Sequence, residues 1–336
     1  MKIEKILNVP TGKIVIAKCE QGRKLEFLSI GDYGKAQNVK ASFLGLDKNI
    51  EGVPNGKIMP LEEKWVVTVS TQYGCSMGCV FCDVPKVGPG INIPLINLSN
   101  QIREAIKLHP DIKETKRLNV HYARMGEPTF NKDVIKSAMH IKNIAEQESL
   151  KALIHPVIST MMPKNNKKLK SFLHDWCDLK NNFYAGDAGL QFSINSTSDK
   201  QRNDMFSGNS LFLNDISSIV KGLPTPKGRK YALNFALADG YEVDAGYLCY
   251  LFDPAKCMVK ITPLHKTKSC VENNISTSGG YEEFTPYKDV EEDLKHNGFD
   301  VLIFVPSYEE DLGRITCGNA ILSGTKPEVE YTEENS

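Results

Sequence analysis

The sequence predicts an α/β fold: a partial barrel of the (β/α)6 type carrying a small β-rich N-terminal extension. Two observations predict it. From Trp65 onward, short β-branched or apolar runs alternate with amphipathic stretches of helical length, the pattern of βαβ units on a parallel sheet. Three cysteines, Cys75, Cys79 and Cys82, follow directly on the first of these strands, and barrels place their reactive groups at the C-terminal ends of their strands. A chain of 336 residues with 41% hydrophobic content is large enough for one such domain with a small addition.

Taken in order, residues 1–60 form the extension. Lys13-Ile14-Val15-Ile16-Ala17 and Lys24-Leu25-Glu26-Phe27-Leu28 flank the turn Glu20-Gln21-Gly22-Arg23 and read as a β-hairpin. Further strand content is expected near Ala41-Ser42-Phe43-Leu44, and the extension ends in Gly52-Val53-Pro54-Asn55-Gly56. The barrel core spans 61–322. Its strands are expected at 65–70, 117–124, 153–159, 189–195, 230–237 and 257–262, with a further run at 299–305. Helices are expected between them at 98–108, 131–146, 165–174, 211–222, 243–251 and 286–296, with Ser99 and Asn131 as N-caps. The acidic tail 323–336 is expected to be disordered.

Composition narrows the function classes. There is no apolar run of transmembrane length and no signal peptide, so a cytoplasmic protein without a membrane partner is expected. Nine cysteines in a reducing compartment point to metal or catalytic roles rather than a disulfide framework. A formal net charge of zero lacks the basic balance that would announce nucleic-acid binding. Local runs such as Lys164–Lys170 and Lys227-Gly228-Arg229-Lys230 offer contacts for phosphate, or ordinary solvated surface.

The cysteines are spaced C-x3-C-x2-C within eight residues. A disulfide would use two and leave one, and a zinc site wants a fourth ligand that no nearby pair supplies. Three soft ligands on one loop suit a [4Fe–4S] cluster with one iron left open. Gly74 and Gly78 allow the loop to wrap tightly, and Phe81 is placed to shield one side.

Polar groups recur at later strand ends. Arg124-Met125-Gly126-Glu127-Pro128 follows the second strand, where Gly126 and Glu127 offer carbonyls and a carboxylate to an ammonium group. Ser159 follows the third strand; Ser193 and Asn195 follow the fourth; these are neutral donors suited to a carboxylate or ribose. His265 follows the sixth strand as a candidate adenine or ribose contact, and Cys317 lies in a late Gly-flanked turn.

The cysteine spacing is the signature of the radical SAM enzymes, and the whole resembles their RlmN/Cfr branch, which methylates adenine in RNA. The resemblance runs from about Trp65 to about Leu322. It takes in Val69–Cys75, Met125-Gly126-Glu127-Pro128 with Asn131, Ile158-Ser159-Thr160, Phe192-Ser193-Ile194-Asn195, Ala238-Asp239-Gly240, Ile261-Thr262-Pro263 and Cys317-Gly318. It implies a radical SAM barrel with a [4Fe–4S] cluster on Cys75, Cys79 and Cys82. It implies S-adenosylmethionine held by Gly126, Glu127, Ser159, Ser193, Asn195 and His265, and an external electron donor such as flavodoxin or ferredoxin. Cys317 would take a methyl group from one S-adenosylmethionine. A deoxyadenosyl radical from a second would then activate that methyl for addition to an adenine of RNA or of a nucleotide.

The sequence departs from the family at three points. Thr68 stands where the family has a second cysteine, which releases the product by forming a disulfide with the methyl-carrying one. Cys270, Cys19, Cys249 and Cys257 are weak candidates to replace it. Asn195 and His265 exchange the residue types usual at their positions, and the first sixty residues do not match the family's accessory helical domain. Two other functions stay open: radical chemistry on a small molecule or peptide with no methyl on Cys317, and a non-enzymatic binding or redox-sensing module.

Overall fold

The computed structural model describes residues 1–32, 38–47, 58–277 and 284–335. Seven strands run parallel, each beside its sequence neighbour: β5 (Trp65–Thr68), β6 (Glu114–Tyr122), β7 (Lys151–Thr160), β8 (Gly189–Ser193), β9 (Tyr231–Leu237), β10 (Cys257–Pro263) and β11 (Val301–Phe304). These are the expected strands with adjusted ends. Between them come α1 (Leu95–Lys107), α2 (Asp133–Gln147), α3 (Leu169–Asp178), α4 (Asp199–Met205), α5 (Leu213–Gly222), α6 (Ala245–Leu251), α7 (Lys268–Glu272) and α8 (Lys288–His296), followed after β11 by α9 (Tyr308–Leu312). The sheet is open, so the barrel is partial, as expected.

Alternation along the strands sorts the two faces. Val67, Val120, Tyr122, Ile158, Leu190, Phe192, Leu233, Phe235, Val259 and Ile261 join one core with the helices' buried stripes, such as Leu98, Ile102 and Ile106 of α1. The opposite face lines the barrel interior and carries Thr68, His121, Ser159, Gln191, Asn234 and Lys260. Fully burying each large apolar side chain contributes roughly 1.5–3 kcal/mol, so the helix-facing set alone fixes the register.

The N-terminal extension continues the barrel sheet. Strands β1 (Lys2–Val9), β2 (Gly12–Lys18) and β3 (Lys24–Gly31) form antiparallel hairpins, the second as expected, and β3 pairs antiparallel with β5 through Leu28 and Thr68. The strand expected near residue 41 is β4 (Val39–Lys40), which pairs with the far edge at β11, while Ser42–Leu44 is a 3-10 turn. The stretch Gly52–Gly56 lies outside the described residues.

Three further expectations are corrected. The tail, expected to be disordered, forms β12 (Thr332–Asn335) on the outer edge of β1. Its acidity suits that edge: Glu333 pairs with Lys5 at 2.7 Å, and Glu334 accepts from Asn8 at 2.7 Å. Ser99 lies inside α1 rather than capping it, because Pro94 supplies the helix entry and its carbonyl accepts from Asn97 and Leu98. Asn131 caps one residue early, accepting from the Asp133 amide at 3.1 Å. Among the described residues no helix is long and apolar enough to cross a membrane.

Candidate active site

The cysteine loop leaves β5 and is fixed from every side by donors aimed at its carbonyls. Asn209 donates to Met77 at 2.7 Å, Ser207 to Gly78 at 2.6 Å, Asn273 to Val80 at 2.8 Å, Thr267 to Phe81 at 2.7 Å and Ser269 to Cys82 at 3.0 Å. Asp83 is fully buried beside Cys82 and accepts from the Ser269 amide at 2.8 Å and its hydroxyl at 2.7 Å. Gly74 permits the return of the loop: a Cβ there would sit 2.1 Å from the carbonyl oxygen of Gly88. Phe81 packs edge-to-face on Phe206, centroids 5.9 Å apart.

Burial pushes the Cys75 thiol up to about 11 and those of Cys79 and Cys82 well above their ordinary range, where each also feels charge on the other cysteines. Three soft donors so placed fit a cationic iron–sulfur group, which alone would make thiolates of them. Among the described residues no three His, Cys, Asp or Glu side chains converge as around one metal ion.

The segment after β6 lies against this loop. Gly126 has φ +90°, and a Cβ there would fall 2.5 Å from Cβ of Gln72, so only glycine fits. The Gln72 side chain accepts from the Glu127 amide at 3.1 Å and donates to Asn92 at 2.9 Å. The Glu127 carboxylate is buried and engaged within the protein. It accepts from the Thr129 amide and hydroxyl at 3.1 and 2.7 Å and from the Met161 amide at 2.8 Å. Burial raises its pKa and these donors oppose the rise. A carboxylate has about four lone-pair sites, so its main work here is to join the exits of β6 and β7.

The other strand-end residues gather at the same edge, in differing states. Ser159 is half-buried and donates to its register partner Gln191 at 3.3 Å. Ser193 is buried, its carbonyl accepting from Arg202 at 3.0 Å. Asn195 turns through φ +60° and accepts from the Ala236 amide at 3.1 Å, stitching β8 to β9. His265 places Nδ1 3.0 Å from Asp311 Oδ1. Asp311 also accepts from the Lys266 amide at 2.8 Å and from the Thr316 hydroxyl, so His265 is tied to the loop that carries Cys317.

Cys317 is exposed, while the protein around its thiol pushes its pKa up. Its sulfur lies 3.9 Å from the carbonyl oxygen of Ala123, and the Gly318 carbonyl accepts from the Asp83 amide at 2.8 Å. The late turn therefore docks on the cysteine loop. The clamp that holds it is one that sequence reading passed over. Arg124, 3% exposed, donates to Glu26 at 2.7 Å, to the Arg314 carbonyl at 3.0 Å and to the Thr316 carbonyl at 3.3 Å. Glu26, 0% exposed, also accepts from the Leu322 amide at 3.1 Å. An arginine closing an apolar strand run was the available signal. Of the cysteines considered as replacements at Thr68, Cys270 lies 3.5 and 3.4 Å from the Phe81 and His265 carbonyls, and Cys19, Cys249 and Cys257 pack with the helix-facing core.

Glu310, buried in a capping box with Ser307, gives a test of this region. Burial, with repulsion from Asp32, pushes its carboxyl from 4.5 up to about 8. A carboxyl whose pKa is raised by folding contributes full stability below its unfolded value and loses it as pH rises through the folded one. Stability is therefore expected to fall between about pH 4.5 and pH 8. In Glu310→Gln that part of the slope disappears in urea titrations run across the window.

The open parallel sheet, with a three-cysteine loop after its first parallel strand and polar groups at the following strand ends, has a solved counterpart. A solved radical SAM methyltransferase from Sphaerobacter thermophilus superposes with a TM-score of 0.63 at 17% identity, over 92% of this chain and 77% of that one. No family model matches the chain. In sequence it is 27% identical over 234 residues to the dual-specificity RNA methyltransferase RlmN of Aliarcobacter butzleri, covering 68% of this chain and 59% of that protein. It is 25% identical over 185 residues to that of Helicobacter hepaticus, covering 54% and 46%. The chain thus spans about half the length of these curated relatives. Together the matches make the chain similar in sequence to RlmN enzymes and in fold to a radical SAM methyltransferase.

Proposed function

We propose that the protein is a radical SAM methyltransferase acting on an adenine-containing RNA or nucleotide by way of a methyl group carried on Cys317. The observation that carries this reading is the docking of the Cys317 turn on the cysteine loop. The Asp83 amide, next to Cys82, donates to the carbonyl of Gly318, next to Cys317, and Cys317 is exposed. Cys75, Cys79 and Cys82 would hold a [4Fe–4S] cluster, which when bound supplies the electron that cleaves S-adenosylmethionine. Gly126, Ser159, Ser193, Asn195 and His265 face the same edge and would orient S-adenosylmethionine, with Glu127 acting chiefly through the backbone it fixes.

The residues of this chain contribute position. Cys317 is the nucleophile, losing its thiol proton as sulfur takes the methyl group. Arg124 and Lys260 bear positive charge toward it and oppose the effect of its burial. The Arg124–Glu26 clamp holds the turn so that the methyl-bearing sulfur stays in place. The test is to incubate the reconstituted protein with S-adenosylmethionine and digest it for mass spectrometry. A mass gain of one CH2 on the peptide holding Cys317 is expected. Deoxyadenosine formed without that gain at any time removes the methyl-carrying role.

Thr68 favours the second reading, radical chemistry on a small molecule or peptide. It lies on the inner face in register with His121, where the family's mechanism needs a thiol.

A further inference from the structure

Two polar side chains on the barrel wall, Lys260 and His121, have no hydrogen-bond or ion-pair partner among the described residues. Val259 and Ile261 of β10 are buried on the helix side, so Lys260 between them faces the interior. In register it lies beside Asn234 and Leu302. Among the described residues no carboxylate comes within ion-pair distance of its ammonium, which stands 5.5 Å from the ring centroid of Phe304. Asp32, whose charge reaches it, is paired with Lys64. Val120 and Tyr122 of β6 likewise bury on the helix side, so His121 faces inward, between Thr68 and Val157 in register. Within the described residues its imidazole has no hydrogen-bond partner. Burial first, and then the charges of Lys260, His155, Lys64 and Arg229, hold it neutral.

Lys260 lies near enough to Cys317 and to His121 for its charge to act on both. The Cys317 sulfur touches the carbonyl of Ala123, two residues beyond His121. A half-buried ammonium without a carboxylate partner is costly to keep, and an anionic ligand would offset that cost. Lysine binds phosphate as a point charge. A neutral imidazole donates one hydrogen bond and accepts one, and the side chains of Asn234 and Thr68 extend the polar wall.

We propose that Lys260 and His121 form a phosphate-recognising subsite in the barrel, which holds a nucleotide substrate against Cys317. The nucleotide is taken from the proposed function; the anionic character of the ligand follows from Lys260 itself.

Titration calorimetry of the full chain with adenosine, adenosine monophosphate, S-adenosylmethionine and a short single-stranded adenine-containing RNA tests this. On the wild type, the monophosphate is expected to bind about tenfold or more tightly than adenosine, the effect of one charge-assisted contact. In Lys260→Met, and in Lys260→Gln as a polar control, that preference vanishes while S-adenosylmethionine affinity is kept. The melting temperature of Lys260→Met does not fall, because the substitution removes an uncompensated charge. Dependence on Lys260 seen with RNA alone assigns the phosphate to the RNA backbone; dependence seen with the monophosphate also admits a free nucleotide. No preference on the wild type for either phosphate-bearing probe, a preference that survives both variants, or a loss of S-adenosylmethionine binding instead overturns the proposal. A missing methyl on Cys317 with the phosphate preference intact would sink the proposed function and leave the subsite standing.

Discussion

Replacing Arg124 by Met destabilises the protein by about 3–5 kcal/mol, the cost of leaving one member of a buried ion pair alone. Glu26 would remain fully buried with the Leu322 amide as its remaining donor, and the carbonyls of Arg314 and Thr316 would lose theirs. The damage concentrates at residues 314–322, so their amides should exchange hydrogen faster than those of β6 and β7. Glu26→Leu combined with Arg124→Met should recover a large part of the loss, because removing both charges together leaves neither stranded. Urea denaturation of the two singles and the double closes the cycle. A double variant as unstable as the sum of the singles would mean that the pair is not the clamp.

Cys75→Ala should abolish assembly of the cluster while leaving the fold in place. The loop does not depend on the metal for its shape: Asn209, Ser207, Asn273, Thr267 and Ser269 hold its carbonyls, and Asp83 anchors its end. The Cys75 side chain is only half-buried, so its removal should cost no more than about 1 kcal/mol. Iron analysis after reconstitution is expected to fall to background with an unchanged circular dichroism spectrum, whereas Cys257→Ala, in the helix-facing core, keeps its iron. A Cys75 variant that assembled a full cluster would defeat the ligand assignment.

The parts of this architecture legible in the sequence were those written in local pattern. The parallel strands announced themselves as apolar or β-branched runs, and the cysteine loop was visible because three thiols in eight residues have few other uses. What escaped was non-local. Nothing in Val39-Lys40 or Thr332–Asn335 names β11 or β1 as a partner; those pairings come from the edges the rest of the sheet leaves open. The bond from the Met161 amide to Glu127 was not legible, because Met161 lies 34 residues away. Arg124 was hidden in the same way: its partner Glu26 is 98 residues distant and looked like an ordinary polar position in a hairpin.

The strand order also bears on how the chain acquires its shape. The N-terminal segment lines both borders of the parallel sheet, with β3 against β5 and β4 against β11, and the last strand pairs with the first through Lys5 and Asn335. A polypeptide emerging from the ribosome can assemble the consecutive parallel strands as they appear, with β3 on β5 from the start, but the β4–β11 border and the outer edge of β1 wait for the C-terminal third. Closure of such distant contacts is slow, and exposed strand edges invite pairing with other chains in the interval. Lys2 and Lys5 of β1 then have a second use: charges on that open edge disfavour its pairing with another nascent chain before β12 arrives.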